Sequence, residues 1–148
     1  MQIELKNILL KGTDTEDFSF SYSAPNSLVD IPFVEFNGDV KVDGYLTIIS
    51  KHEVRVVANI TYSLKGNCSR CGDNAETVIE TDIDEQFCDA EIEDCYTFSK
   101  GVVDITKSVN DKIVMSMPMQ VLCSTECKGL CPICNHNLNQ GDCSCKNL

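Results

Sequence analysis

Six of the chain's ten cysteines fall between Cys123 and Cys145, spaced Cys123-x3-Cys127-x3-Cys131-x2-Cys134-x8-Cys143-x-Cys145. Thiolates at such spacings suit an ion that accepts four soft ligands at tetrahedral corners, and zinc does this without redox chemistry. The segment is too short and too poor in leucine to bury enough apolar surface against the entropy of ordering its backbone. A cross-link must therefore supply the missing stability. Cys131-Pro132-Ile133-Cys134 presents two ligands from one tight turn, and Asn135 behind it suits the left-handed backbone such a turn often requires. Cys143-Ser144-Cys145 returns across a polar loop. The simplest ligand set is Cys131, Cys134, Cys143 and Cys145. Because the gap between the last two is tight, Cys127 can stand in for either of them. His136 is a lesser candidate, read first as a solvated loop imidazole.

A second pair, Cys68-Ser69-Arg70-Cys71, lies far upstream. Ahead of it Val54, Val56, Ala58, Ile60, Tyr62 and Leu64 alternate with polar residues, which is the period of a half-buried strand. Beyond it, Val78 to Phe87 resumes a β-branched pattern with Ile79, Ile83 and Phe87 on one face. The pair therefore belongs at the tip of a hairpin. A thioredoxin-like site would need it where a strand enters a helix. Adding Cys68 and Cys71 to the six tail cysteines makes eight, enough for two four-thiolate sites. One division gives Cys68, Cys71, Cys123 and Cys127 to one ion and the other four to a second. One structural zinc ion is expected, and two if that division holds. Cys88 and Cys95 flank an acidic stretch outside both clusters and read as packing thiols.

The elements that must position these residues form an α+β fold. Ile3 to Leu10 reads as a strand, followed by a second through Phe18, Phe20 and Tyr22. Pro25, Pro32 and Gly38 make 24–39 a loop or irregular edge. Val40, Val42, Leu46 and Ile48 open a third strand, with Asp43-Gly44 marking a bulge or bend. An antiparallel meander results. Asp104 is a good helix cap, and Ile105, Val109 and Ile113 recur every four residues before Pro118, predicting one helix over 104–117 packed on the sheet. Met115, Met117 and Met119 read as core filler or a following strand. The expected organisation is an antiparallel β domain with its helix over 1–122, and a zinc-stapled cysteine-rich appendage over 123–148 packed on the same domain.

Composition restricts the setting. The opening residues Met-Gln-Ile-Glu-Leu-Lys-Asn carry charges inside their first apolar stretch, unlike a secretory signal. No apolar run reaches the ~18 residues of a membrane span. A soluble, cytoplasmic protein is expected, where thiols stay reduced and bind metal. The net charge is −11, and residues 72 to 99 hold ten acidic side chains without a Lys or Arg. Such a surface repels phosphate and disfavours broad RNA or DNA binding. It favours solubility, or the docking of a basic protein. A local RNA contact is left to Lys51, His52 and Arg55, or to Lys65 and Arg70. The chain has two histidines and no phosphate-binding, dinucleotide or zinc-protease motif, so an enzyme is not expected. No small-molecule substrate is implied.

Cys127-Lys-Gly-Leu-Cys131-Pro-Ile-Cys134-Asn-His-Asn-Leu-Asn, closing with Cys143-Ser-Cys145, resembles the C-terminal signature of the bacterial YceD family. Cys68-Ser-Arg-Cys71 and Val103-Asp104-Ile105 before an apolar helix match the family pattern in the same order, so the resemblance covers roughly residues 35 to 148. Where the family usually carries Gly after the second tail cysteine, this chain has Asn135. Some members lack the cysteine tail, which makes the appendage a stabilising or partner-binding addition. The resemblance implies a role in large-subunit ribosome biogenesis and accumulation of the large ribosomal RNA. It points to a non-enzymatic factor that contacts a ribosomal protein or a large-subunit precursor particle. The competing reading is a redox or zinc-responsive thiol protein acting through Cys68, Cys71 and the tail cysteines.

Overall fold

The computed structural model describes residues 1–145. Its centre is the hairpin of β5 (Glu53–Asn67) and β6 (Asn74–Cys88), paired without a register break from Glu53 opposite Cys88 to Asn67 opposite Asn74. The alternation in β5 explains its place. Val54, Val56, Ala58, Ile60, Tyr62 and Leu64 are all buried, while their neighbours face outward. β4 (Val40–Ser50) lies antiparallel on the other side of β5, and β2 (Thr15–Tyr22) antiparallel beside β4. The short β3 (Val34–Phe36) continues that side of β5 toward the hairpin tip. A two-residue β7 (Tyr96–Thr97) pairs in parallel with the last residues of β6. The fold is α+β with an antiparallel, meander-like sheet, as the patterning implied.

Helix α2 (Thr106–Ser116) covers one face. It is shorter than the expected 104–117, yet the Asp104 carboxylate still accepts the Thr106 N–H at 2.9 Å. Val109 and Ile113 are fully buried, as is Ile105 just before the helix. Three tyrosines hold the helix to its neighbours: Tyr22 donates to Asn110, Tyr96 donates to Asp111, and the Tyr62 and Ser116 hydroxyls share a bond at 3.0 Å. Burial would raise the Asp104 carboxyl, but its bonds to Thr106 hold it below the usual carboxylate range. A carboxyl depressed in the folded state stabilises above its unfolded pKa, and that contribution fades as pH falls through the folded value. Asp104→Asn should therefore be less stable than the parent at neutral pH. Urea unfolding across a pH series should show the gap closing on the acid side.

Four expectations need correction. Only Gln2–Glu4 of the opening segment is a strand, β1, and it pairs with β8 (Val102–Asp104); Leu5–Leu10 is a short helix, α1. Leu5 and Ile8, three apart, are the residues this helix buries. Asp43-Gly44 makes no bulge, because pairing with β5 runs straight through it and the irregularity falls between Ile48 and Ser50. Gly44 instead permits close approach, since a Cβ there would lie 2.1 Å from the Val57 carbonyl oxygen. Met117 packs against the core, but Met115 and Met119 are 80% and 99% exposed. Lastly, Cys88 and Cys95 are joined in a disulfide with Cα atoms 6.1 Å apart. The chain turns back after β6 to lay Tyr96 beside Phe87, which brings Cys95 against Cys88.

Candidate metal centre

The hairpin tip and the tail meet. Cys68 and Cys71 stand in the turn between β5 and β6, where the Gly72 N–H returns to the Cys68 carbonyl at 2.9 Å and Gly72 adopts φ +77°. The tail repeats this construction. The Asn135 N–H returns to the Cys131 carbonyl at 2.9 Å, and Asn135 adopts φ +59°. Asn tolerates the left-handed region where most side chains do not, so it fills the role that Gly plays at the hairpin. Each turn aims two sulfurs to one side.

The ligand atoms fall into two groups, Cys68, Cys71, Cys123 and Cys127, and Cys131, Cys134, Cys143 and Cys145. Within each group all four sulfurs lie within 4.8 Å of one another. In the first group Cys71 and Cys123 sulfurs are 3.5 Å apart and those of Cys68 and Cys127 are 3.7 Å apart. These separations are too long for a disulfide, whose bond is about 2.05 Å. They match the edge of a tetrahedron with metal–sulfur bonds of about 2.3 Å, which is roughly 3.8 Å. The donor chemistry and the spacing therefore fit a tetrahedral thiophilic ion in each group.

Electrostatics point the same way. Burial would raise the Cys68 thiol, but backbone N–H groups of Cys71, Cys123 and Arg70 bring it down to about 6. The N–H groups of Cys134 and Ile133 do the same for Cys131, also to about 6. Their neighbours move oppositely. Backbone bonding near Asp73 favours the Cys71 thiolate, yet burial and the sulfurs of Cys123, Cys68 and Cys127 push it up to about 12. Cys145 is pushed up to about 12 by Cys134, by burial and by Cys131. Four thiolates this close cannot all ionise unless a cation stands among them.

Polar contacts tie the two groups together. The Asn139 amide donates to the Cys127 sulfur at 3.3 Å, while its carbonyl oxygen accepts the Lys128 N–H. Arg70 donates to the Cys127 carbonyl, the Ser69 N–H to the Val121 carbonyl, and Asn137 to the Asp73 carboxylate. Sequence patterning did not single out Asn137 or Asn139. Both lie in a polar loop with no periodicity to mark them. Cys127 lies in the first group rather than standing in for Cys143 or Cys145, and the one-residue gap between those two is accommodated. His136 contributes its carbonyl to the Cys131 N–H, and its ring belongs to neither group.

Fold and site together define a small α+β protein with two four-cysteine groups that could hold metal ions. The chain belongs to the YceD family: residues 56–147 match the family model described as "Large ribosomal RNA subunit accumulation protein YceD". The chain is also 40% identical over 45 residues to the maize (Zea mays) protein named "Large ribosomal RNA subunit accumulation protein YCED homolog 1, chloroplastic". That stretch covers 30% of this chain and 15% of the maize protein's length. No solved structure matches the chain. Among the described residues, no helix is long and apolar enough to cross a membrane.

Proposed function

We propose that this chain is a non-enzymatic factor in large ribosomal subunit biogenesis, with two structural zinc ions that fasten its C-terminal segment to the β5–β6 hairpin. Membership of a family named for accumulation of the large ribosomal RNA carries the reading. A site closed by four thiolates leaves no open position for water or substrate, which supports a bracing role over catalysis. The body over 1–122 and the appendage over 123–148 then act as one unit, because the first ion takes two ligands from each. The redox alternative is weakened by the setting of Cys68 and Cys71 at a hairpin tip, each with a tail sulfur at its side. Eight unbonded cysteines suit a reducing compartment such as the cytoplasm, with Cys88–Cys95 as the exception.

The partner we favour is a ribosomal protein or a large-subunit precursor particle. Quantitative pull-down from cell extract, without chelator, should enrich large-subunit proteins and precursor ribosomal RNA over an unrelated acidic control. No enrichment would end the reading. Support around the ligands offers a separate check. Outer contacts to metal ligands are worth about 10- to 100-fold in affinity, so Asn139→Ala should weaken the ion at Cys68, Cys71, Cys123 and Cys127 by that factor in a chelator competition.

A further inference from the structure

We propose that the free edge of β6 is a strand-addition site for an extended basic segment of a partner protein. β5 runs along one side of β6 for its whole length, whereas β7 covers only Phe87 and Cys88 on the other. Among the described residues, no other strand pairs with that second edge.

The direction of the backbone groups follows from three bonds. The Cys88 carbonyl accepts the Phe98 N–H at 2.9 Å, on the β7 side. The Asp89 N–H turns the other way, to the His52 carbonyl, and the Thr77 carbonyl likewise faces β5, where it accepts the Ser63 hydroxyl. Residues two apart on a strand direct their backbone groups to the same edge, and the unbroken register preserves that parity. Glu76, Val78, Glu80, Asp82 and Asp84 therefore all present N–H and C=O groups to the open edge, while Gln86 faces the same way where β7 joins. Their side chains are exposed as well.

Charge selects the occupant. Exposed edges are usually kept short, or blunted with charged side chains (Lys above all), Pro or a bulge; β6 has no Lys, Pro or bulge between Asn74 and Cys88. It carries carboxylates instead, together with Val78 at 62% exposure and a half-buried Ile79 on the opposite face. Asp84 is engaged by Arg55, but Glu80 and Asp82 make no ion pair among the described residues. A second copy of this edge would bring like charges together, and nucleic acid would be repelled. A strand alternating Lys or Arg with apolar residues would complete the backbone bonds, neutralise the carboxylates on one face and cover Ile79 on the other. This inference rests on the ribosomal reading only for the source of that strand.

The probe is a synthetic twelve-residue peptide alternating lysine with valine and threonine, tested against the full chain. Amide exchange followed by NMR should show Val78, Glu80 and Asp82 exchanging fast in the free protein and at least about tenfold more slowly with peptide, while Ile79 and Thr81, already bonded to β5, change little. The same peptide N-methylated at alternate residues keeps its charge but cannot pair, and should bind about tenfold more weakly. Val78→Pro removes an outward N–H without touching the β5 ladder and should act likewise. Equal binding of the methylated peptide, or slow exchange at Val78, Glu80 and Asp82 before any peptide is added, would overturn the proposal, even if Val78→Pro does not fold. The peptide arm uses no ribosomal material and the extract pull-down does not depend on the edge, so either reading can fail without the other.

Discussion

Replacing Cys71 with serine should reduce the zinc content from two ions to one and release the tail from the hairpin. The sulfurs of Cys68, Cys71, Cys123 and Cys127 come from two segments. Val121 and Leu122 anchor the start of the tail in the core, and beyond them the ties are the Ser69 bond to Val121, the Arg70 bond to Cys127 and the Asn137 bond to Asp73. A structural zinc ion contributes about 10 to 16 kcal/mol of apparent binding energy, whereas each hydrogen bond adds about 1 kcal/mol net. Three such bonds cannot hold the tail beyond the Val121 anchor once the ion is gone. Native mass spectrometry counts the ions, and limited proteolysis should cut freely between Val121 and Cys127. The β5–β6 ladder should survive, because its fifteen pairs do not depend on the turn. Two ions still bound to the serine variant would refute the assignment of this quartet.

The second large effect is more local. Cys134→Ser should cost the ion held by Cys131, Cys134, Cys143 and Cys145 and unfold residues 129–145, leaving the hairpin ion bound but weakened by the loss of the Asn139 contact. Little else orders that lobe. Its backbone bonds are few, among them Cys131 to His136, Leu138 to Gly129 and Gln140 to Asn137, and among the described residues none beyond Cys131 is buried there. The thermal transition of the sheet should hardly move. Measured side by side, Cys71→Ser would free the whole tail and Cys134→Ser its distal part alone, which identifies the two ions as separate fastenings. A tail that resists protease equally in the Cys134→Ser variant and the parent would argue that the distal lobe needs no metal.

Much of this was legible because it depends on short-range geometry. The period of two from Val54 to Leu64 located the central strand, and the two Cys-x-x-Cys turns with Gly72 or Asn135 behind them announced two sulfurs apiece. The grouping of eight cysteines into two quartets was one division among several until folding brought the tail to the hairpin. Asn139 and Arg70 act through contacts 12 and 57 residues away in sequence, which no local pattern records. Ile3 and Leu5 alternate like a strand, but the chain bends into a helix after Glu4 so that Leu5 and Ile8 share the core. Met115 failed as core because α2 turns its buried stripe through Val109 and Ile113, leaving Met115 on the far side. Cys88 and Cys95 read as lone packing thiols because nothing in their local sequence pairs them; only the return into β7 places them side by side.

The hairpin quartet also imposes an order in time. Cys123 follows Cys71 by 52 residues, and Cys127 follows Cys68 by 59. At synthesis rates of about 5 to 20 residues per second, the first two sulfurs wait about 3 to 12 seconds for the others to be made. During that interval the nascent chain has a finished hairpin with half a socket. On the proposed assignment, capture of an ion there must wait until Cys127 has been made, and a message truncated before Cys123 yields a sheet whose hairpin lacks half its ligands.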